Sequence, residues 1–132
     1  MSKLPKVAGL ILCKRMEMNP ANVDLSLIGL FHALSFSAWP ALAPPFTVYT
    51  EVYDARAEGI MRLAIVCLET EEEVYWHTKW FASSDRRLTY RMEWRVTQCR
   101  FPAPGRYLLS LRLDRKELSR RYLEVTAKER RP

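Results

Sequence analysis

The sequence contains very little glycine and histidine. Four glycines are scattered among the 132 residues, so no glycine-rich loop that could wrap a phosphate is present. His32 and His77 do not form an HxH or HExxH motif, and no GxSxG motif occurs, which removes the common signatures of zinc and serine hydrolases. We interpret both histidines as structural, and we predict a non-enzymatic protein with no catalytic residue and no cofactor.

Cysteine is equally scarce and is not arranged for covalent or metal chemistry. Cys13, Cys67 and Cys99 are odd in number, far apart and without CxxC spacing, which argues against a disulfide framework and against a zinc site. A free cysteine behaves as a small apolar side chain and is usually buried. We therefore expect three reduced thiols in the core.

Long uninterrupted apolar segments are absent as well. Val7 to Cys13 follows two lysines, as in a secretory signal, but the run is short and Lys14 closes it without a cleavage site. Residues 25–50 are uncharged but contain three prolines, and the part before Pro40 is shorter than the roughly 20 residues of a membrane span. We expect no signal peptide, no membrane partner and, by default, a cytoplasmic location.

Apolar residues are abundant in the sequence, and they recur with a two-residue period. Apolar types make up 48% of the chain, enough for one domain with its own core, so we predict a single domain over 1–132 with an ordered core over about 7–126. In Leu88 to Val96, apolar residues alternate with Thr89, Arg91, Glu93 and Arg95. This alternation is typical of a strand with one buried and one solvated face.

Turn signals recur at short spacing and divide the chain into strands. The predicted strands cover about 7–18, 23–36, 46–54, 60–69, 74–82, 88–99, 106–113 and 118–126. We predict an all-β fold, a single-domain antiparallel β-sandwich of about eight strands. The second strand would return antiparallel to the first and be covered on both sides. Asp114 followed by Glu117 resembles a helix capping box, which leaves a short helix over 115–123 as an alternative.

The segment 37–45 separates two runs of sheet character and contains Pro40, Pro44 and Pro45. Proline removes a backbone donor and fixes φ, so neither a helix nor a central strand passes through this segment. It also carries Trp39 and Leu42, apolar groups that a flexible linker would lack. We interpret it as a corner inside one fold rather than as a linker or a proline-rich docking peptide.

The order of these signals resembles a known family. The elements that carry the resemblance are "LSLIGLF" at 25–31, "WPALAPPFTVYTEV" at 39–52 and "FPAPGRYLLSLRLDRKELSRRYLEV" at 101–125. Together they resemble an uncharacterised bacterial family of small β-sandwich proteins, immunoglobulin-like or C2-like. The resemblance implies the fold and no chemistry, because sandwiches carry many unrelated functions.

C2-like domains raise the question of calcium, which they hold with loop aspartates. Asp54, Asp85 and Asp114 fall at predicted turns, but none belongs to a DxD pair. We therefore predict no metal site. The acidic run Glu69 to Glu73 is interpreted as a solvated hairpin tip.

The net charge of +6 is uneven along the chain, since residues 1–85 sum to −3 and residues 86–132 to +9. This excess favours anionic partners. A cationic strip would consist of Arg86, Arg87, Arg91, Arg95, Arg112, Arg120 and Arg121. Trp76, Trp80 and Trp94 could stack bases beside it, although Trp94 shares its parity with Tyr90 and Met92, which favours the core. Binding of nucleic acid or another polyanion is the alternative function.

The leading prediction is a protein-interaction or assembly subunit. Predicted strands 60–69 and 74–82 carry large apolar side chains on both parities, more than one face of a two-layer domain can bury. Other protein subunits or further copies of the chain are the expected partners. The residues proposed for the contact surface are Tyr75, His77, Lys79 and Phe81, opposite Val74, Trp76, Thr78 and Trp80.

Overall fold

The computed structural model describes residues 3–128, and all regular structure in that range is β-strand. Twelve strands are present in it, so the predicted all-β class is confirmed while the predicted number of strands is too low. The strands are β1 (Lys6–Cys13), β2 (Arg15–Met18), β3 (Leu25–Ile28), β4 (Ala33–Phe36), β5 (Ala41–Leu42), β6 (Phe46–Tyr53), β7 (Ala57–Cys67), β8 (Glu73–Ser83), β9 (Thr89–Val96), β10 (Arg100–Phe101), β11 (Gly105–Leu113) and β12 (Lys116–Ala127).

Two main sheets and two small ribbons contain these strands. The three-stranded sheet has the order β1-β6-β9, and the five-stranded sheet has the order β4-β12-β11-β7-β8. The ribbons pair β2 with β3 and β5 with β10. All pairings are antiparallel except that of β4 with β12, which is parallel. The arrangement therefore differs from the simple eight-strand antiparallel sandwich that the turn spacing predicts.

The two main sheets enclose one hydrophobic core. Its largest fully buried side chains include Trp94 on β9, Tyr107 on β11 and Phe101 on β10. Trp94 Nε1 donates a hydrogen bond to Thr50 Oγ1 at 3.1 Å, so the one polar atom of this indole is satisfied inside the core. The predicted alternation of β9 and the core assignment of Trp94 are confirmed.

The main sheets also approach each other at their margins, so that they curl into a half-barrel. On one side, Phe81 of β8 and Tyr90 of β9 meet edge to face with ring centroids 5.2 Å apart. On the other side, Arg121 of β12 donates from Nη1 to the Leu10 carbonyl oxygen of β1 at 2.9 Å. Side-chain contacts close these margins in place of a backbone ladder.

The predicted first strand over 7–18 is interrupted at Lys14. There the chain leaves the three-stranded sheet and begins the ribbon β2–β3, and Lys14 N donates to the Ile28 carbonyl oxygen at 2.9 Å. Gly29 allows this close crossing, because it has φ 72° and a Cβ on it would lie 2.7 Å from Lys14 Cγ. The periodicity of the segment gave no sign of this change of sheet.

The prediction of one antiparallel strand over 23–36 is wrong. The chain divides at Gly29 into β3, which pairs with β2, and β4, which runs parallel to β12 with Leu34 opposite Val125. Apolar residues on both parities did not mean burial on both sides, since Leu30 is 65% exposed. Pairing of segments about ninety residues apart depends on tertiary contacts that a local pattern does not contain.

The interpretation of 37–45 as a corner agrees with the structure. Trp39 packs edge to face against Phe36, β5 pairs with β10, and Ala43 N donates to the Cys99 carbonyl oxygen at 3.0 Å. Ala43 itself belongs to the core. The segment is therefore folded against the main sheets.

The alternative of a helix over 115–123 is wrong. Leu113 and Lys116 pair directly, so Asp114 and Arg115 form a two-residue turn between β11 and β12. Asp114 has φ 52°, a value that suits a hairpin turn and that aspartate tolerates better than most residues. Glu117 lies opposite Arg112 in the ladder and caps no helix.

Candidate interaction face

Strand alternation divides the side chains of β7 and β8 between the core and the solvent. On β7, Met61, Leu63 and Ile65 are fully buried, whereas Ile60 is 43% exposed. On β8, Trp76 is 58% and Trp80 is 63% exposed. Two tryptophans with more than half of their surface in water are unusual, because this side chain is highly buried on average.

The register places these exposed side chains side by side. Ile60 lies opposite Trp80, and Arg62 lies opposite Thr78. We call the patch formed by Ile60, Arg62, Trp76, Thr78 and Trp80 the tryptophan face. It lies at the margin of the five-stranded sheet, because β8 is the edge strand of that sheet.

Arg62 holds Trp76 in place. Its guanidinium carbon lies 5.3 Å from the centroid of the Trp76 ring, within the range of a cation–π contact. Arg62 Nη1 also donates to Glu73 Oε2 at 2.9 Å, and this hydrogen bond raises the pKa of Arg62 above its ordinary value. The contact with Arg62 therefore restricts the Trp76 side chain before a partner binds. Less side-chain entropy is then lost when Trp76 is buried in an interface.

The charges around the tryptophan face balance. Four arginines and four glutamates point outward from β7, β8, β11 and β12, so the formal charge of this outer face is zero although the whole protein carries +6. These residues are Glu58, Arg62, Glu73, Arg106, Arg112, Glu117, Arg120 and Glu124. Several of them are paired across strands, as in the 2.7 Å contact between Arg106 Nε and Glu124 Oε1.

The residues that the sequence singled out on this strand lie on its inner side. Phe81 is 4% exposed, and Tyr75 packs against the core and donates from its hydroxyl to the Arg95 carbonyl oxygen at 3.5 Å. His77 meets the Trp94 ring edge to face at 6.2 Å. The strand parity thus turns the expected contact side chains toward β9, although His77 remains exposed at the edge of the sheet, and leaves Trp76, Thr78 and Trp80 on the outer side.

Lys79 belongs to the same inner group. Its ammonium lies 4.9 Å from the centroid of the Trp94 ring and donates to the Glu93 carbonyl oxygen. Burial lowers the pKa of Lys79 below its ordinary value. This lysine closes the margin between β8 and β9 and is only partly accessible to a partner.

The seven arginines of the expected cationic strip are not brought together. Arg91 and Arg95 lie on the outer side of the three-stranded sheet, whereas Arg112 and Arg120 lie on the outer side of the five-stranded sheet. Arg121 turns toward β1 and donates to the Leu10 carbonyl oxygen. The two tryptophans that could have stacked bases beside Arg91 and Arg95 lie on the other sheet.

Most of these arginines also have partners within the chain. Arg86 Nε lies 2.8 Å from Asp54 Oδ1, and Arg87 Nη2 lies 3.0 Å from Asp85 Oδ2. Arg95 donates to the Lys14 carbonyl oxygen at 2.7 Å. The hydrogen bonds from Lys3 and then from Arg86 hold the pKa of Asp54 well below its usual range.

The aspartates considered for calcium are engaged in the same way. Asp54 and Asp85 face cations, and Asp114 Oδ1 accepts a hydrogen bond from Ile60 N at 2.9 Å. Across residues 3–128, no three histidine, cysteine, aspartate or glutamate side chains cluster in a way that could hold a metal ion. Cys13, Cys67 and Cys99 are buried and unbridged, and burial raises the pKa of Cys99 to about 12.

The residues of β8 that the sequence singled out lie on the parity that faces β9, whereas the two exposed tryptophans lie on the opposite parity. Both parities of β8 carry aromatic residues, so the pattern did not distinguish inside from outside. A bulge between Ile65 and Val66 shifts the register at the start of β8. No helix in the described part of the chain is long and apolar enough to cross a membrane.

Comparison with known proteins identifies a family and a fold. The chain belongs to DUF6941, a family of unknown function, whose pattern matches residues 9–126. No curated protein matches the chain. Among solved structures, the fold is similar to part of the Pseudomonas fluorescens alkylpurine DNA glycosylase AlkC bound to DNA containing an abasic site analogue, with 14% identity and a TM-score of 0.51. The match covers 92% of this chain and 30% of that one.

Proposed function

We propose that the protein is an assembly subunit that binds a second copy of itself through the tryptophan face. The observation that carries the proposal is the exposure of Trp76 and Trp80, at 58% and 63%, beside the exposed Ile60. Tryptophan and arginine are enriched among the residues that contribute most to protein interfaces. A contact surface of this composition supports association with protein rather than catalysis.

Charge favours a second copy as the occupant. A protein of net charge +6 repels another copy of itself over most of its surface. The outer face that contains Trp76 and Trp80 carries four arginines and four glutamates, so two such faces approach without net repulsion. In a two-fold contact, any ion pair between Arg62 of one copy and a glutamate of the other is formed twice.

Sedimentation velocity of the double variant Trp76→Ala/Trp80→Ala tests the proposal. We expect the unmodified protein to sediment as a dimer and the variant as a monomer at the same concentration. Because the interface would be apolar and charge-balanced, the dimer should persist when salt is raised. Tryptophan fluorescence should shift to longer wavelength on dilution, as Trp76 and Trp80 return to water.

The matched control is Tyr53→Ala, which removes an aromatic side chain that is 39% exposed on β6, away from the tryptophan face. This variant should remain dimeric. Circular dichroism of both variants should match that of the unmodified protein, since neither change touches the core. A strictly monomeric unmodified protein at the highest concentration reached, or a dimer that survives loss of both tryptophans, would overturn the proposal.

The proposal extends to the type of β-fold and to the compartment in which the protein works. Two main sheets around one core support an immunoglobulin-like or C2-like origin, and we place the chain in the bacterial cytoplasm as a non-enzymatic protein. Three buried, unbridged cysteines fit a reducing compartment. Mass spectrometry of the thiols in protein isolated from its native cell would test this placement, because oxidised cysteines would contradict it.

Binding of nucleic acid is the second candidate function. The observation that favours it is that the excess positive charge lies outside the neutral outer face, with Arg91 and Arg100 exposed and without an ion-pair partner among residues 3–128. The similar fold in AlkC was solved with DNA bound. Fluorescence anisotropy with single-stranded and duplex oligonucleotides at low salt would test it, and a flat titration with both would remove it.

A further inference from the structure

An open groove of about 840 Å³ lies at the end of the molecule where β7, β8 and the β11–β12 turn meet. This volume is within the range of small-molecule sites, about 300–1,000 Å³. The groove borders the tryptophan face, because Glu58 and Ala82 line it on the side of the sheet that carries Ile60 and Trp80. Its ligand would nevertheless not depend on self-association. The inference drawn from it therefore stands apart from the proposed function.

The groove has a mostly apolar lining, which we call its floor. The apolar lining residues are Leu4, Ala57, Ala82, Tyr90 and Leu113. Leu4 is 42% exposed and Leu113 is 3% exposed, so an accessible aliphatic group lies next to the edge of the core. A ligand with an apolar body would remove this surface from water, which is the main favourable term in such sites.

The rim of the groove carries three cations, Arg56, Arg115 and Lys116. Unlike Arg62, Arg86 and Arg106, none of the three has a carboxylate within ion-pair distance among residues 3–128. Two acids, Glu58 and Asp114, also line the groove. Three cations against two carboxylates leave a net charge of +1 at the groove.

The wall that carries Arg115 and Lys116 is fixed in place. Asp114 N donates to the Ile60 carbonyl oxygen at 2.8 Å, and Ile60 N donates to Asp114 Oδ1 at 2.9 Å. Gly59 makes this approach possible, since a Cβ there would lie 2.5 Å from Asp114 Oδ2. The turn is tethered to β7, so the backbone that carries the two cations is fixed before a ligand binds.

The opposite wall is also anchored. Lys3 N donates to the Arg56 carbonyl oxygen at 2.7 Å, and Arg56 N donates back to Lys3 at 2.9 Å. The Ser83 hydroxyl donates to the Ala55 carbonyl oxygen at 2.9 Å. The backbone at Arg56 is thus fixed by hydrogen bonds to Lys3 and, through Ala55, to Ser83. The Arg56 guanidinium remains available to bind an anion.

From this combination we infer that the groove binds a small organic anion with an apolar body, such as a medium-chain carboxylate. The apolar floor takes the body, and Arg56, Arg115 and Lys116 take the carboxylate. Arginine and lysine form charge-assisted hydrogen bonds with carboxylates that are stronger than neutral ones. Neither the charge nor the apolar floor alone would select this class of ligand.

Nuclear magnetic resonance titration with decanoate tests the inference, because amide shifts report where the ligand binds. We expect shifts at the groove residues with decanoate, and much weaker shifts with decyltrimethylammonium, which has the same chain and the opposite charge. Acetate, which lacks the chain, should also bind weakly. Equal binding of decanoate and decyltrimethylammonium, or shifts confined to the tryptophan face, would overturn the inference.

Charge-reversal variants sharpen the test. Arg115→Glu/Lys116→Glu should weaken decanoate binding by about tenfold or more, the loss expected when charge-assisted contacts are removed. Arg91→Glu/Arg100→Glu makes the same change of net charge away from the groove and should bind as the unmodified protein does. If both double variants lose affinity equally, the effect is general electrostatics and the groove is not the site.

A further variant, Ala82→Trp, places a bulky side chain in the groove next to Trp80 without altering a charge, and it should block binding while the protein stays folded. The titration is repeated in the Trp76→Ala/Trp80→Ala background, where we expect binding to be retained. Retained affinity in that monomeric background, together with loss in Ala82→Trp, separates the groove from the self-association surface. Affinity that survives in Ala82→Trp would overturn the assignment.

Discussion

The outer face of the three-stranded sheet is covered by the chain's own ribbon β2–β3, whereas the outer face of the five-stranded sheet is left open at Trp76 and Trp80. Under the ribbon, Thr47 is fully buried and Tyr49 is 6% exposed. The ribbon lies against β6, and Arg95 secures its entry by donating to the Lys14 carbonyl oxygen at 2.7 Å. One outer face is thus closed within the chain, and the other is left open to solvent.

This difference shows that aromatic content does not identify an interface; exposure of the aromatic side chain does. Tyr49 and Trp76 both lie on outward parities of main-sheet strands, yet only Tyr49 is covered. Burial raises the pKa of Tyr49, as expected for a phenol taken out of water. Substitutions that affect folding on one face and association on the other would test this distinction.

The largest expected effect is on folding stability at the covered face. Tyr49→Ala should lower the free energy of unfolding by about 3 kcal/mol, because it removes a large buried side chain. Trp76→Ala removes a larger side chain but should cost less than about 1 kcal/mol, because that ring is exposed in the monomer. Urea denaturation at low protein concentration, where the dimer is dissociated, gives both values. Equal losses would contradict the comparison.

A smaller effect is expected on association at low pH. The outer face of the five-stranded sheet is neutral only while its four glutamates are ionised. The hydrogen bond from Arg120 is the main reason that the pKa of Glu117 is lowered, so this residue keeps its charge until the pH falls below the ordinary glutamate range, about 4.3. Protonation leaves the arginines unbalanced and two faces repel.

The lowered pKa of Glu117 also determines how the stability of the folded chain changes with pH. A carboxyl whose pKa is lowered in the native state contributes stability above its unfolded pKa and loses it as the pH falls through the native value. Association depends instead on the charge of the whole face, so sedimentation between pH 7 and about 3 should show a dimer that dissociates as the glutamates are protonated, with an affinity about tenfold lower at pH 3. An unchanged dimer there would show that charge balance does not govern association.

The smallest expected effect concerns the ion pair between Glu73 and Arg62, which fixes Arg62 beside the Trp76 ring. Glu73→Gln removes the partner of Arg62 and should lower monomer stability by less than about 1 kcal/mol, since both side chains are about a third exposed. It should weaken self-association about threefold, because the indole loses its fixed position and each face gains a positive charge. Glu124→Gln makes the same charge change beside Arg106 and Tyr122 and should weaken association less. A larger loss in Glu124→Gln would place the contact elsewhere on the sheet.

Part of this architecture could be predicted from the sequence because it depends on neighbouring residues. The alternation in 88–96 predicted β9 and the burial of Trp94. The prolines near position 40 predicted the corner, since they exclude a helix and a central strand whatever lies beside them. The hairpin at Asp114 was less certain, because aspartate serves both a turn and a helix cap, and the ladder between Leu113 and Lys116 decided it.

The candidate site could be predicted only in part. The excess of apolar side chains on β7 and β8 indicated a contact surface there, but Tyr75 and Trp76 were equally plausible outward residues. The predicted cationic strip does not form for a related reason, since Arg91 and Arg112 both lie on outward parities of their strands but belong to different sheets. The groove could not be foreseen, because Leu4, Arg56, Ala82 and Arg115 come from four separate segments.

The sequence by itself determined that the chain is β-structured, roughly where the long strands β6–β9, β11 and β12 lie, and that its thiols and the Trp94 side chain are apolar core material. These properties follow from side-chain alternation and from backbone restrictions that act over a few residues. Only the tertiary structure decided that β4 pairs with β12, that β8 turns Trp76 and Trp80 to the solvent, and that the ribbon covers Tyr49. The physical reason is that pairing partners and the choice of inner face are set by contacts between residues far apart in the sequence, which a local period does not specify.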